Sequence, residues 1–144
     1  MGENTLKKFG EIKVSEIMVP SQKVVTTTPD EKISTTEILM LKKKIGGLPV
    51  INDNNRRKVV GIITQRDIRL SRFAISLDTP LTKVKDLMTP EPYTVKIGDT
   101  LKNALEIMFN NKIERLPVVN DNNELIGLVG QQGILKKLYE YLIN

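Results

Sequence analysis

Lys44-Ile45-Gly46-Gly47-Leu48-Pro49-Val50-Ile51-Asn52-Asp53-Asn54-Asn55 returns as Lys112-Ile113-Glu114-Arg115-Leu116-Pro117-Val118-Val119-Asn120-Asp121-Asn122-Asn123, 68 positions on from Pro49 to Pro117. A match at fixed offset signals an internal duplication, and a duplication changes how every other segment is read. Upstream, Val14 to Pro20 (VSEIMVP) returns as Val84 to Pro90 (VKDLMTP), an offset of 70 from Pro20 to Pro90. Downstream, Gly61 to Ile68 (GIITQRDI) returns as Gly127 to Ile134 (GLVGQQGI), an offset of 66 from Gly61 to Gly127. The offset changes only in turn-like segments. Three matches in one order identify a chain written twice.

Both copies share one local grammar. A short apolar strand is expected at Val24 to Thr28 and at Tyr93 to Ile97. A helix follows in copy two, where Leu101, Ala104, Leu105 and Met108 keep the spacing of one buried face. Its counterpart runs from about Glu31 to Lys44, with Ile33, Glu37, Met40 and Leu41 at the same spacing and Glu37 interrupting the stripe. Leu48 to Ile51 and Val59 to Ile63 flank an Asn/Asp cluster, as do Leu116 to Val119 and Leu125 to Val129. Two short β-branched runs around such a cluster read as a hairpin. A last helix starts near Gln65 and near Gln131. The predicted fold is α+β: two β-α-β-β-α repeats, each too short to bury both faces of its sheet alone. Residues 1–13 form a leading arm, 14–76 the first repeat, 77–83 a linker and 84–144 the second repeat.

Composition narrows the chemistry. The 144 residues are 40% hydrophobic and 27% charged, ordinary for a globular protein. There is no Cys, which removes thiolate nucleophiles, disulfides and thiolate-bound zinc. There is no His either, which removes the commonest general base and metal ligand. The expectation is a protein that catalyses nothing. No apolar run approaches the roughly 18 residues of a membrane span, and the first residues lack the apolar centre of a signal peptide, so a cytoplasmic protein is expected. The net charge of +5 fits either an anionic partner or a solvated basic surface.

Thr64-Gln65-Arg66-Asp67 places a hydroxyl three residues before an acid at a strand-to-helix junction. That is the spacing of a capping box, in which Thr64 satisfies a free helix N–H and Asp67 favours the positive helix end.

The ordered set of Met-x-Pro, Leu-Pro-Val and Gly-Ile-Ile-Thr-Gln-Arg-Asp, in two registers over residues 14 to 142, resembles a tandem pair of CBS domains, also called a Bateman module. The resemblance implies two repeats packed about a pseudo-two-fold axis and a regulatory, ligand-sensing role. It implies a ligand containing adenosine (AMP, ADP or ATP, with S-adenosylmethionine or NAD as further members of the class) held in a cleft between repeats. It also implies a homodimer of modules acting on a downstream protein. Carried over residue by residue, Asp67 accepts from the ribose hydroxyls, since a carboxylate offers two acceptor oxygens to a diol. Thr64 then contacts phosphate or ribose near a helix N-terminus that attracts anions. By the same correspondence Tyr93 and Thr94, and Ile113, Glu114 and Arg115 ahead of Pro117, line that cleft, with Ile62 and Ile113 flanking the adenine. Arg115 is the cation suited to a phosphate; read without the family it is a solvated hairpin-edge charge, and Ile62 and Ile113 are core residues.

Copy two departs from this pattern. Gly130 and Gly133 stand where copy one has Thr64 and Asp67, so the second cleft, walled by Val25 to Thr27 and Ile45 to Gly47, lacks a ribose anchor. Two other readings stay open. One is nucleic-acid binding through Lys42 to Lys44, Arg56 to Lys58 and the Arg66, Arg69, Arg72 stripe, against which stands an aromatic content of 4%. The other is a dimerisation module without a ligand.

Overall fold

The hairpins form where the β-branched runs stand. In the computed structural model, which describes residues 8–52, 57–74 and 80–143, β2 (Gly47–Asn52) pairs antiparallel with β3 (Lys58–Thr64), Pro49 opposite Ile62. Its twin joins β6 (Arg115–Val119) to β7 (Leu125–Gly130), Pro117 opposite Leu128. Each ladder shifts register once, at Val50/Ile51 and at Val118/Val119, positions equivalent in the duplication. Along β3 burial alternates, with Val59, Gly61 and Ile63 inside, as period-two geometry requires. In copy two the turn is fixed by Asn120, whose Oδ1 accepts from the N–H groups of Asn122 and Glu124. Its counterpart lies partly outside the described residues.

The helices that follow the strands start where the sequence predicts them. They are α2 (Ile33–Lys43), α3 (Gln65–Ala74), α5 (Leu101–Asn111) and α6 (Gln131–Ile143), with α1 at residues 8–11 and a single turn α4 at Val84–Leu87. α2 and α5 both end on a lysine in the left-handed region, Lys44 at φ 55° and Lys112 at φ 54°. After Lys44 the chain folds back: the Lys44 N–H donates to Leu41 O and the Ile45 N–H to Met40 O, a Schellman ending.

Three sequence expectations need correction. The strand predicted at Val24 to Thr28 shrinks to a bridge at Thr27, which exchanges backbone bonds with Pro49 O and Ile51 N. The strand predicted at Tyr93 to Ile97 shrinks to β5 (Val95–Lys96). Turns close both segments early, through Glu31 N donating to Thr28 O and Asp99 N to Lys96 O. The buried stripe of α2 is Ile33, Thr36 and Met40, whereas Leu41 is exposed. Glu37 instead holds Arg72 of α3 in a two-pronged ion pair, one arm 2.8 Å long.

The compact units do not coincide with the sequence repeats. One unit comprises Met1–Val24 and Tyr93–Asn144, the other Val25–Pro92. Each body therefore carries the opening motif of the other repeat. In the first unit β1 (Val19–Pro20) pairs with β7, giving the sheet order β1-β7-β6-β5; in the second, β4 (Thr89–Pro90) pairs with β3, giving β2-β3-β4. The backbone clasps match as well: Val14 N donates to Asp99 O and Leu101 N to Ile12 O, while Val84 N donates to Glu31 O and Ile33 N to Thr82 O. In the second unit Lys85 and Lys83 also hold Asp30, whose carboxyl sits below its usual range through the hydrogen bond and charge of Lys85 and the charge of Lys83.

Each unit has a core of its own. Val14, Val95, Leu101, Leu116, Val118 and Val129 centre one; Ile33, Met40, Leu48, Val50, Ile63, Ile68 and Val84 form the other. Two glycines make the exchange possible. A Cβ on Gly61 would lie 2.5 Å from Met88 Sδ and 3.0 Å from Thr89 O; one on Gly127 would lie 2.5 Å from Met18 Sδ and 2.8 Å from Val19 O. The two methionines of the repeated Met-x-Pro motif thus seat on the two glycines of the strands they join.

Candidate functional site

Thr64 is the last residue of β3 and Gln65 the first of α3, so the strand runs straight into the free N–H groups of a helix start. Three of the residues there are tied down. Thr64 Oγ1 accepts from the Asp67 N–H at 3.1 Å, and Asp67 Oδ2 accepts from the Thr64 N–H at 2.9 Å. Gly46 O accepts from the Gln65 N–H at 2.8 Å, while the Gln65 side-chain amide donates to Ile45 O. The capping box expected from the spacing is present in full. It fixes the carboxylate without exhausting it: Asp67 is half-buried, and Oδ1 takes no hydrogen bond among the described residues. A rigid carboxylate oxygen beside a helix N-terminus can accept from hydroxyls while the helix end favours an anion.

Ile62 lies two residues before Thr64 and opposite both Pro49 and Thr89. The structure therefore brings Ile62, Thr64 and Asp67 together in the second unit, beside Ile45 and Gly46. The proximity of Ile45, Gly46 and Thr89 to Thr64 or Ile62 was not read from sequence; only the repeated hairpin register signals it.

The remaining candidates all belong to the first unit. Tyr93 is exposed and Thr94 half-buried, ahead of β5. Ile113 is half-buried and follows the left-handed turn at Lys112. Glu114 O accepts from the Gln131 N–H, and the Glu114 carboxylate lies 3.7 Å from the Arg115 guanidinium. Pro117 is buried in β6, opposite Leu128 of β7.

The helix start of the second copy has a different chemistry. Gly130 and Gly133 supply neither hydroxyl nor carboxylate at α6. A Cβ on Gly133 would lie 3.3 Å from Ile17 O, so an aspartate there would push on the opening segment; one on Gly130 would meet only Glu114 O at 3.8 Å. Of the basic stripe on α3, Arg66 and Arg69 are exposed and Arg72 is held by Glu37. Lys42 and Lys43 close the last turn of α2, where cations suit the helix end; Arg56 lies outside the described residues.

The family model for the CBS domain matches residues 14–72 and 84–140, most of the chain. The chain belongs to the CBS domain family. The tandem CBS pair resembles CBSX2 of Arabidopsis thaliana, whose crystal structure is 28% identical with a TM-score of 0.78, covering 92% of this chain and 98% of that one. The crystal structure of CBSX2 in complex with AMP is 27% identical, also at a TM-score of 0.78, covering 90% of this chain and 97% of that one. The inosine-5'-monophosphate dehydrogenase of Methanocaldococcus jannaschii is 37% identical over 125 residues, which is 87% of this chain and 23% of the dehydrogenase. The CBS pair thus spans about a quarter of the length of that relative. Among the described residues no helix is long and apolar enough to cross a membrane, and no group of three or more Asp or Glu side chains is placed to hold a metal ion.

Proposed function

We propose that this CBS pair is a regulatory module that binds an adenine nucleotide of the AMP, ADP or ATP class, with Asp67 and Thr64 as its ribose and phosphate anchors. The observation that carries the reading is the clamped carboxylate of Asp67 at the start of α3, with one oxygen committed to the cap and one open. The AMP complex of the similar CBSX2 supports the ligand class. Tyr93, Thr94, Ile113, Glu114 and Arg115 are the further contacts implied by family correspondence, and S-adenosylmethionine and NAD share the adenosine that Asp67 would read. Binding would act on a downstream protein by favouring one arrangement of the module over another. Differential scanning fluorimetry with AMP, ADP, ATP, S-adenosylmethionine and NAD tests it. At a hundredfold excess over the dissociation constant a ligand adds about 2.7 kcal/mol of stability, so an effective member gives a plain rise in melting temperature. A flat response to all five overturns the proposal.

A homodimer is supported by a second observation. Phe73 on α3 and Tyr139 on α6 occupy equivalent repeat positions, as do Leu41 on α2 and Phe109 on α5, and all four are exposed, Phe73 by 88% and Phe109 by 74%. Large apolar side chains repeated on matching helix faces suit burial against a second copy. Sedimentation velocity should show a dimer that Phe73→Asp converts to monomer; a wild-type monomer at micromolar concentration removes this reading.

A further inference from the structure

The duplication supplies an internal control for one cavity. A pocket of about 240 Å³ opens in the unit Val25–Pro92, floored by Thr27 and Thr36 and walled by Thr26, Thr28, Thr35 and Glu31. The floor hydroxyls are buried and lie 2.9 Å apart. At the equivalent positions of the other repeat stand Val95 and Ala104, both buried and both apolar. The same slot in the same fold is therefore stable with methyl groups alone. The two hydroxyls satisfy each other, and each keeps capacity for a further hydrogen bond to a molecule in the pocket. The pair is also rigid, because the Thr27 N–H and C=O are both bonded to β2 and the Thr36 N–H donates to Lys32 O.

The lining defines the ligand. Every threonine hydroxyl both donates and accepts, which matches a molecule whose groups do the same. Glu31 commits Oε1 to the Lys32 N–H at 2.9 Å, leaving Oε2 as an acceptor for a diol. Leu39 gives one apolar wall for a carbon skeleton, and no lining residue is cationic, which disfavours phosphate or carboxylate ligands. The volume lies below the roughly 300–1,000 Å³ typical of drug-sized ligands and equals about eight water volumes. We propose that this pocket is a second binding site, for a small uncharged polyhydroxy compound of monosaccharide size. It uses none of the residues proposed to hold the nucleotide at Asp67, although Thr26 and Thr27 also belong to the wall of the second cleft.

The test is a ¹⁵N heteronuclear NMR titration of the full chain with ribose, glucose, myo-inositol and glycerol at millimolar concentration. At least one should give saturable shifts centred on the amides of residues 26–28 and 35–36. Thr27→Val with Thr36→Ala, which installs valine and alanine as in the other repeat, should weaken binding at least about tenfold. Glu31→Gln, a rim substitution outside the core, should weaken it severalfold and serves if the double variant does not fold. No saturable shift with any of the four compounds overturns the proposal. So do shifts that persist unchanged in the variants, or binding by a small diamine in place of the polyols.

Discussion

Replacing Asp67 by alanine removes two things at once, the acceptor for the Thr64 N–H and the open oxygen Oδ1. Loss of the first costs about 1 kcal/mol of stability, the usual worth of a cap. Loss of the second costs nucleotide affinity, about 1.5–3 kcal/mol for a charged acceptor, or more than tenfold. Asp67→Asn separates them. Its amide oxygen can still accept from Thr64 while its NH₂ points where Oδ1 was, so the melting temperature of the free protein should hold and AMP affinity should fall at least tenfold. Calorimetry with AMP and a melt of each variant decide it. Full affinity in Asp67→Asn would mean that the carboxylate is a cap and nothing more.

At the scale of elements, Met88 seats closely on Gly61 in the second unit. A methyl group there would displace Met88 and the β4 backbone, since its neighbours would be at 2.5 and 3.0 Å. Overpacking of that kind costs typically about 1–3 kcal/mol, and Gly61→Ala should lower stability by that amount. The change should also disturb nucleotide binding, because Ile62 to Thr64 continue the same strand. Gly98 is the control. Nothing lies within 4 Å of a Cβ built there, so Gly98→Ala should be neutral or stabilising by up to about 1 kcal/mol through the unfolded chain. Urea denaturation of the two variants checks both; equal stabilities would show that β4 yields freely and that the seat is not a constraint.

Across the whole molecule the two repeats are unequal. Only the start of α3 carries a hydroxyl and a carboxylate; the start of α6 carries Gly130 and Gly133. Lacking a charge-assisted acceptor worth about 1.5–3 kcal/mol, a second nucleotide should bind at least about tenfold more weakly. Calorimetry should give close to one nucleotide per chain at micromolar protein. A stoichiometry of two with matched affinities would mean that backbone groups suffice and that Asp67 is not the anchor. Gly133→Asp is a poor way to restore symmetry, because its Cβ would stand 3.3 Å from Ile17 O.

The duplication, both hairpins, the starts of α3 and α6 and the Thr64–Asp67 box could all be read from the sequence. The duplication shows as matches at a nearly constant offset, and the hairpins, helix starts and box depend on residues close in sequence, where spacing and turn chemistry decide the backbone. The strands at Val24 to Thr28 and Tyr93 to Ile97 were overread because apolar runs do not reveal where a following turn will cut the ladder. The buried stripe of α2 takes in Thr36 and leaves out Leu41 for a related reason: burial is set by what faces the helix, and Glu37, half-buried, is turned to Arg72 of α3. The exchange of opening motifs was the least legible feature. Met18, Met88, Gly61 and Gly127 are all visible as repeated residues, yet nothing local says that Met88 seats on Gly61 and Met18 on Gly127. Two similar copies offer each motif two similar hairpins, so local preference cannot choose between them. Only the path of the connected chain does.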